Sequence, residues 1–154
     1  MADVVIGEFT WDAIWPACEP LMEQHHKEVR EKELQPFKVD VETAYKLDAC
    51  GALVIAGAVS GSSLVGYSIW YLSPNLESAG NIIASQGPWF VLPAFRGETG
   101  KDLWQFSMFQ LKKRGVKVIH AHHWMHGDGP RLGKFFKKLG GTPLETVYEI
   151  WIGD

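Results

Sequence analysis

One segment limits what this chain can fold into more than any other: Phe90-Val91-Leu92-Pro93-Ala94-Phe95-Arg96-Gly97-Glu98-Thr99-Gly100-Lys101-Asp102-Leu103. An apolar, β-rich run halts at a proline and crosses a turn holding two glycines. It then enters a pattern in which Leu103, Trp104, Met108 and Leu111 recur at helical spacing. That is a strand feeding a tight turn and then a helix. The first N–H groups of a helix have no partner within it, and the helix dipole adds partial positive charge there, so the turn favours an anion such as a pyrophosphate. Gly97 and Gly100 allow close approach of a ligand to the backbone, and Arg96 and Lys101 add charge. A glycine turn between strand and helix is often only a turn, so the flanking sequence has to decide.

The flanks read as alternating blocks of helix and strand. Trp11, Ile14, Trp15, Cys18, Leu21, Met22 and His25 follow a helical period over roughly 11–30, with Thr10 as N-cap; Pro16 and Pro20 predict a kink or a late start. Asp40 caps a second, short helix over VETAYKLDAC that Gly51 stops. ALVIAGAV and LVGYSIWYL, joined by SGSS, form an antiparallel hairpin. NIIASQGPWFVL is a third strand with a bulge at Gly87 and Pro88. A helix over 101–114 ends at Gly115, VKVIHAH is a buried strand, a helix runs from Asp128 and Pro130 to Leu139, and LETVYEIWI alternates as a final strand. The predicted order is α-α-β-β-β-α-β-α-β, a mixed α/β (α+β) arrangement. At 154 residues, with no repeat or linker, residues 1–154 are expected to be one domain.

Val91, Pro93, Arg96, Gly97, Gly100 and Leu103 fit the pattern V-x-P-x-x-R-G-x-G-x-G-x-x-L, and the segment resembles the acetyl-CoA-binding motif of the GNAT N-acetyltransferases. Leu64-Val65-Gly66-Tyr67, Lys113-Arg114-Gly115, Val116–Ala121 and Phe135-Phe136-Lys137-Lys138-Leu139-Gly140 fall in the family order, so the resemblance spans about residues 10–152. The phrases Glu23–Val29 and Thr146-Val147-Tyr148-Glu149 look closest to a small branch common in phage genomes. The resemblance implies a central mixed, mostly antiparallel sheet flanked by helices. It also implies transfer of an acetyl or other acyl group from acetyl-CoA to an amine, by direct attack in a ternary complex. Backbone groups of Phe90, Val91 and Leu92 would hold the pantetheine and thioester, while Arg96, Gly97, Glu98, Thr99, Gly100 and Lys101 would wrap the pyrophosphate. The loop is one residue shorter than the common pattern, and Thr99 stands where glycine is frequent.

Acyl transfer to an amine needs a group to take the amine's proton and a donor for the departing thiolate. The tyrosine that GNAT enzymes often use as acid matches Phe136 here, which leaves Tyr148, Ser107 or a water for that role. The base candidates are Glu28 on the first helix and His122 at the end of the VKVIHAH strand, one of a group with His120 and His123. His25, His26 and Trp124 are placed against the acceptor. A satisfied core or surface histidine is the ordinary alternative for each imidazole. The spacing H-x-H-H-x-x-H over 120–126 could converge on a metal, but strand alternation separates neighbouring residues, and no metal is expected.

The net charge of -3 conceals an imbalance: residues 1–77 hold twelve acidic and five basic side chains, residues 78–154 six and ten. The basic half suits a phosphorylated ligand; equally, it gives a nucleic-acid-modifying protein on the same scaffold as the alternative reading. A non-catalytic CoA-binding module, with Phe136 and Thr99 as signs of lost chemistry, is a third. The expected partners are acetyl-CoA and an amine on a small molecule or protein, with a homodimer through the final edge strand. No apolar run is long enough to span a bilayer, the N-terminus lacks a signal-peptide layout, and Cys18 and Cys50 make no disulfide framework. The expected location is the cytoplasm, that of the host if the chain is phage-encoded.

Overall fold

The computed structural model describes residues 3–29, 36–125 and 127–153. Five strands form one sheet in the order β1-β2-β3-β4-β5: β1 (Val4–Glu8), β2 (Leu53–Ser60), β3 (Ser63–Pro74), β4 (Ile82–Val91) and β5 (Val118–His120). The first four pair antiparallel, and β5 joins β4 in parallel. Helices α1 (Trp11–Val29) and α2 (Val41–Ala49) precede the hairpin; α3 (Glu98–Lys113) links β4 to β5, and α4 (Gly129–Lys138) follows.

β2 shows why the sheet is a middle layer. Leu53 to Ala58 are all buried, and their side chains alternate between two cores. Leu53 and Ile55 join Trp11, Ile14, Cys18 and Leu21 of α1, whereas Val54 and Ala56 face Trp104, Leu111 and Leu103 of α3. On the α3 face a polar thread crosses the apolar packing. Ser107 donates to the Leu103 carbonyl at 2.8 Å and lies 2.8 Å from the Ser68 hydroxyl, which also accepts from Trp70 Nε1. Each buried hydroxyl thereby keeps a partner, the condition for leaving water at small cost.

Local signals set the helix ends. Thr10 Oγ1 accepts from the Ala13 N–H, Asp40 from the Thr43 N–H, and Gly51 and Gly115 turn the chain with φ of 76° and 78°. Pro16 and Pro20 neither delay nor break α1. Both are exposed, so the carbonyls that they deprive of a partner face water. α3 begins at Glu98, three residues before the expected Lys101, because the chain turns at Gly97 ahead of the first apolar helical position, Leu103.

Three strand expectations need correction. β1 precedes α1 and was not anticipated, since its five residues hold a glycine and alternate imperfectly. The fifth strand shrinks from VKVIHAH to three residues, with Val118 and His120 exposed rather than buried. LETVYEIWI forms no strand: residues 142–153 carry no regular structure, and Leu144, Val147, Tyr148, Ile150, Trp151 and Ile152 are exposed. Period-two alternation fits a segment for a ladder; it does not supply the neighbouring strand.

The expected bulge is present. Ser68 pairs with Trp89 and Trp70 with Gln86, so Gly87 and Pro88 occupy the space of one residue. A Cβ on Gly87 would lie 2.8 Å from the Ile69 carbonyl and 2.5 Å from the Tyr71 ring. Gly87→Ala is therefore expected to destabilise the fold by about 1–3 kcal/mol, as overpacked sites do, measured by urea unfolding; an unchanged midpoint would show that the bulge relaxes freely.

Candidate active site

The sheet opens where its parallel β4–β5 pair ends. β4 and β5 pair at Ile83 with Val118, Ala84 with Ile119 and Ser85 with His120, and there β5 stops while β4 runs on to Val91. Beyond that point a side-chain link crosses the gap: buried Gln86 accepts from the His122 N–H at 3.4 Å. Leu92 donates its N–H to Val65 O on β3 at 2.9 Å. Because backbone groups alternate along a strand, the N–H and C=O of Val91 then point the other way, into the opening.

β4 leads from this opening to a helix end whose amides are accessible. A short turn over Pro93–Phe95 passes to Gly97, which sits at φ 102° and ψ −111°, a conformation open to glycine and costly for other residues. No side chain caps α3. The first helical bond runs from the Lys101 N–H to Gly97 O at 3.3 Å, so the N–H groups of Glu98, Thr99 and Gly100 precede it. A Cβ on Gly100 would meet only the Trp89 ring, at 4.0 Å, so the helix end stands clear of backbone from other elements there. This geometry fits the diphosphate of a coenzyme, with bare amides and a dipole where the charge would lie. Lys101 pairs with Glu98 at the same end.

A second cluster closes the other side of β4. Arg96 lies over the Phe90 ring at 5.5 Å, donates through Nε to Val91 O at 2.9 Å and pairs through Nη2 with Glu28 of α1 at 2.5 Å. One turn back on α1, the His25 ring stacks on Phe90 at 5.1 Å, and its Nδ1 lies 3.2 Å from the Tyr67 hydroxyl. Burial raises the Tyr67 pKa, so the phenol keeps its proton beside Nδ1. Burial also pushes His25 down to about 4; Glu28 opposes that shift, while Arg96 and His26 add to it. His25 is thus a neutral imidazole at pH 7.

Of the residues expected from sequence, Glu28, His25, Phe90, Val91 and Arg96 converge, and Gly97 to Lys101 adjoin them along the chain. Phe90 enters this group through its ring, which packs in the α1 core, and Leu92 has given its N–H to β3. His26 packs against Phe37, 5.2 Å between ring centres, rather than joining His25. His122 lies across the opening, its pKa lowered by partial burial and by His123. Trp124 follows it, and its carbonyl is 2.8 Å from His123 Nδ1. Tyr148 stands exposed on the terminal segment. Ser107 is fully buried and bonded, and Phe136 packs on Trp104, ring centres 5.3 Å apart. No group of three His, Cys, Asp or Glu side chains is placed to hold a metal among the described residues; His126 of the H-x-H-H-x-x-H spacing lies outside them. Sequence reasoning missed Tyr67 and Gln86. Each looks like an ordinary strand residue, and each gains its meaning from a partner 42 or 36 positions away.

No protein-family model and no curated protein matches the sequence. Solved structures do match over nearly the whole chain. An aminoglycoside acetyltransferase from an uncultured soil metagenomic sample superposes with a TM-score of 0.79 at 14% identity, covering 98% of this chain and 99% of that one. The ribosomal-protein-alanine N-acetyltransferase of Brucella melitensis gives 0.72 at 18% identity, with 98% and 100% covered. Glucosamine-6-phosphate N-acetyltransferase from Arabidopsis thaliana gives 0.73 at 13%, with 98% and 99% covered. The fold is that of the GNAT N-acetyltransferases.

The His25 environment predicts a pH effect. The unfolded chain takes up a proton near the ordinary value of 6.5, whereas the folded chain resists until about 4. Protonation in that window favours unfolding, so folding stability declines as pH falls from about 6.5 to 4. Unfolding curves of the protein and of His25→Gln over this range should differ in slope, with the variant flatter; parallel curves would show that His25 charges freely in the fold.

Proposed function

From the fold shared with these N-acetyltransferases, we propose that this chain transfers an acetyl or related acyl group from acyl-CoA to an amine, by direct attack in a ternary complex. The observation that carries the reading is the continuity of the β4 opening with the uncapped start of α3. One strand edge presents the Val91 N–H, and the same strand leads through Gly97 to the amides of Glu98, Thr99 and Gly100.

In this reading the α3 amides and Lys101 receive the diphosphate, and the pantetheine lies along the open side of β4. Bound there, the coenzyme supplies an activated thioester carbonyl. The Val91 N–H donates to that carbonyl oxygen, whose negative charge grows as the amine adds. Glu28 attracts the protonated acceptor at the mouth and, directly or through a water, takes the proton that the nitrogen must lose. His25, neutral and held by Tyr67, orients the α1 wall beside it. His122, across the gap, and Tyr148, on the terminal segment, are the remaining candidates to return a proton to the departing thiolate. Coenzyme A is a fairly good leaving group, so this last step makes the smallest demand.

Acceptor identity follows the acidic amino-terminal half. With Glu28 at the mouth and Glu19 and Glu23 outward on the same helix, a cationic amine fits better than an anionic one. The basic residues of the other half supply the second reading, a protein acting on nucleic acid. It predicts binding to DNA that weakens steeply with salt, and a salt-insensitive or absent gel shift removes it.

Calorimetric titration with acetyl-CoA tests the donor site, and turnover of a panel of primary amines, followed by thiol release, tests the reaction. Saturable binding with turnover is expected; no heat up to millimolar coenzyme would overturn the reading. Gly100→Asp places a negative charge at the helix start, where the added Cβ meets only Trp89. It should weaken acetyl-CoA binding about tenfold, roughly 1.4 kcal/mol, with melting nearly unchanged. Glu28→Gln should lower kcat/KM for the amine about tenfold or more, on the scale of a lost acid–base group, and leave coenzyme affinity within a few fold.

A further inference from the structure

The β4–β5 ladder ends for a local reason. After Ser85 pairs with His120, β4 continues through Gln86 into Gly87 and Pro88, which share the space of one residue, and a proline has no N–H to give. A side chain then stands in for the missing backbone. Gln86 Oε1 accepts from the N–H of His122, two residues past the end of β5, at 3.4 Å. Gln86 is 8% exposed and sits opposite the fully buried Trp70, whose ring meets Trp104 edge to face. Core packing thus holds the carboxamide where the strands part, and the bond to His122 gives its oxygen the partner that burial requires.

Residues 123 and 124 are seated from the other side by α4. A Cβ on Gly129 would lie 1.6 Å from the Trp124 carbonyl oxygen, and one on Gly133 2.6 Å from His123 Nε2, so the bare backbone of both glycines lets the segment lie against the helix. His123 Nδ1, 2.8 Å from the same carbonyl, closes the turn. The chain around His122 is therefore held on two sides although β5 itself has only three residues, and His122 stands exposed at the rim with its N–H directed inward. Tyr148, the other candidate to return a proton to the thiolate, lies on a segment without regular structure and is 79% exposed.

We propose that Gln86 is a positioning residue, which fixes His122 beside the opening, and that His122 rather than Tyr148 returns the proton to the departing thiolate. The inference rests on the acyl-transfer reading and deepens it. Proton transfer needs heavy atoms within about 2.6–3.2 Å of each other, and a ring carried on irregular chain meets that condition only where the chain is anchored. In the step, the imidazolium N–H bond breaks as the S–H bond forms, and the exposed ring reloads its proton from solvent. Gln86 touches neither coenzyme nor acceptor; it acts through the His122 backbone.

Thiol release from acetyl-CoA with a primary amine reads the effect. Gln86→Met keeps the size of the side chain and removes the acceptor; kcat should fall about tenfold, within what a general acid contributes, with both KM values unchanged within about twofold. Gln86→Glu keeps an oxygen at the same reach and should recover most of the loss. In a His122→Ala background, which retains the N–H, Gln86→Met should lower kcat no further, because sites that act through one another do not add. Hydrogen exchange tests the link without turnover: the His122 amide of the unaltered protein should exchange at least about tenfold more slowly than a free amide. A freely exchanging His122 amide, a kcat indifferent to Gln86→Met in a variant that still melts cooperatively, losses that multiply in the double variant, or activity lost in Tyr148→Phe and kept in His122→Ala would each overturn the proposal. Absence of turnover in the unaltered protein strikes the acyl-transfer reading and takes this inference with it, whereas turnover indifferent to Gln86 overturns this inference alone.

Discussion

A sheet that parts between two parallel strands leaves backbone donors and acceptors facing a gap, and the candidate site residues gather around that edge. The carbonyl of Val91 is taken up by Arg96, and the bulge at Gly87 and Pro88 lies beside the last β4–β5 pair. The N–H of Val91 points the same way as its carbonyl. An exposed backbone donor in a partly dry cleft is poorly solvated, and it interacts with a developing oxyanion more strongly than it would in bulk water. The same strand continues into the start of α3, so one stretch of backbone joins the opening to the uncapped helix end.

The α1 wall is tied to this edge through side chains rather than backbone. Glu28 holds Arg96, Arg96 holds Val91, and His25 lies between Phe90 and the Tyr67 hydroxyl. The Arg96 and Glu28 side chains are each more than a third exposed, so their ion pair contributes little to stability by itself. Its consequence is positional: it sets the carboxylate beside the mouth of the opening. It also occupies Arg96, which the sequence pattern assigns to phosphate.

Much of this was legible in the sequence, because the relevant signals are local. Gly97 and Gly100 between a strand and an apolar helical stripe announced the turn, and Gly87-Pro88 the bulge. Asp40 and Gly51 bracketed α2 as read. What escaped needed knowledge of neighbours distant in sequence. The β1 strand is short and glycine-bearing, and only its pairing with β2 makes it a strand. The alternation of 144–152 was visible, but no described strand takes it up, so a good β pattern yielded no β structure. The surroundings of the histidines were hidden for a similar reason. His25 and His26 are adjacent in sequence, yet one sits against a buried phenol and the other against Phe37.

The backbone at Val91 and at Glu98 to Gly100 is the proposed seat of a coenzyme. Backbone amide resonances followed during titration with acetyl-CoA address it residue by residue. Large, saturable shifts are expected at Val91, Glu98, Thr99 and Gly100, with small ones along β1 and the outer face of α2. Shifts absent at these four amides under saturating coenzyme, or concentrated elsewhere in the chain, would contradict it.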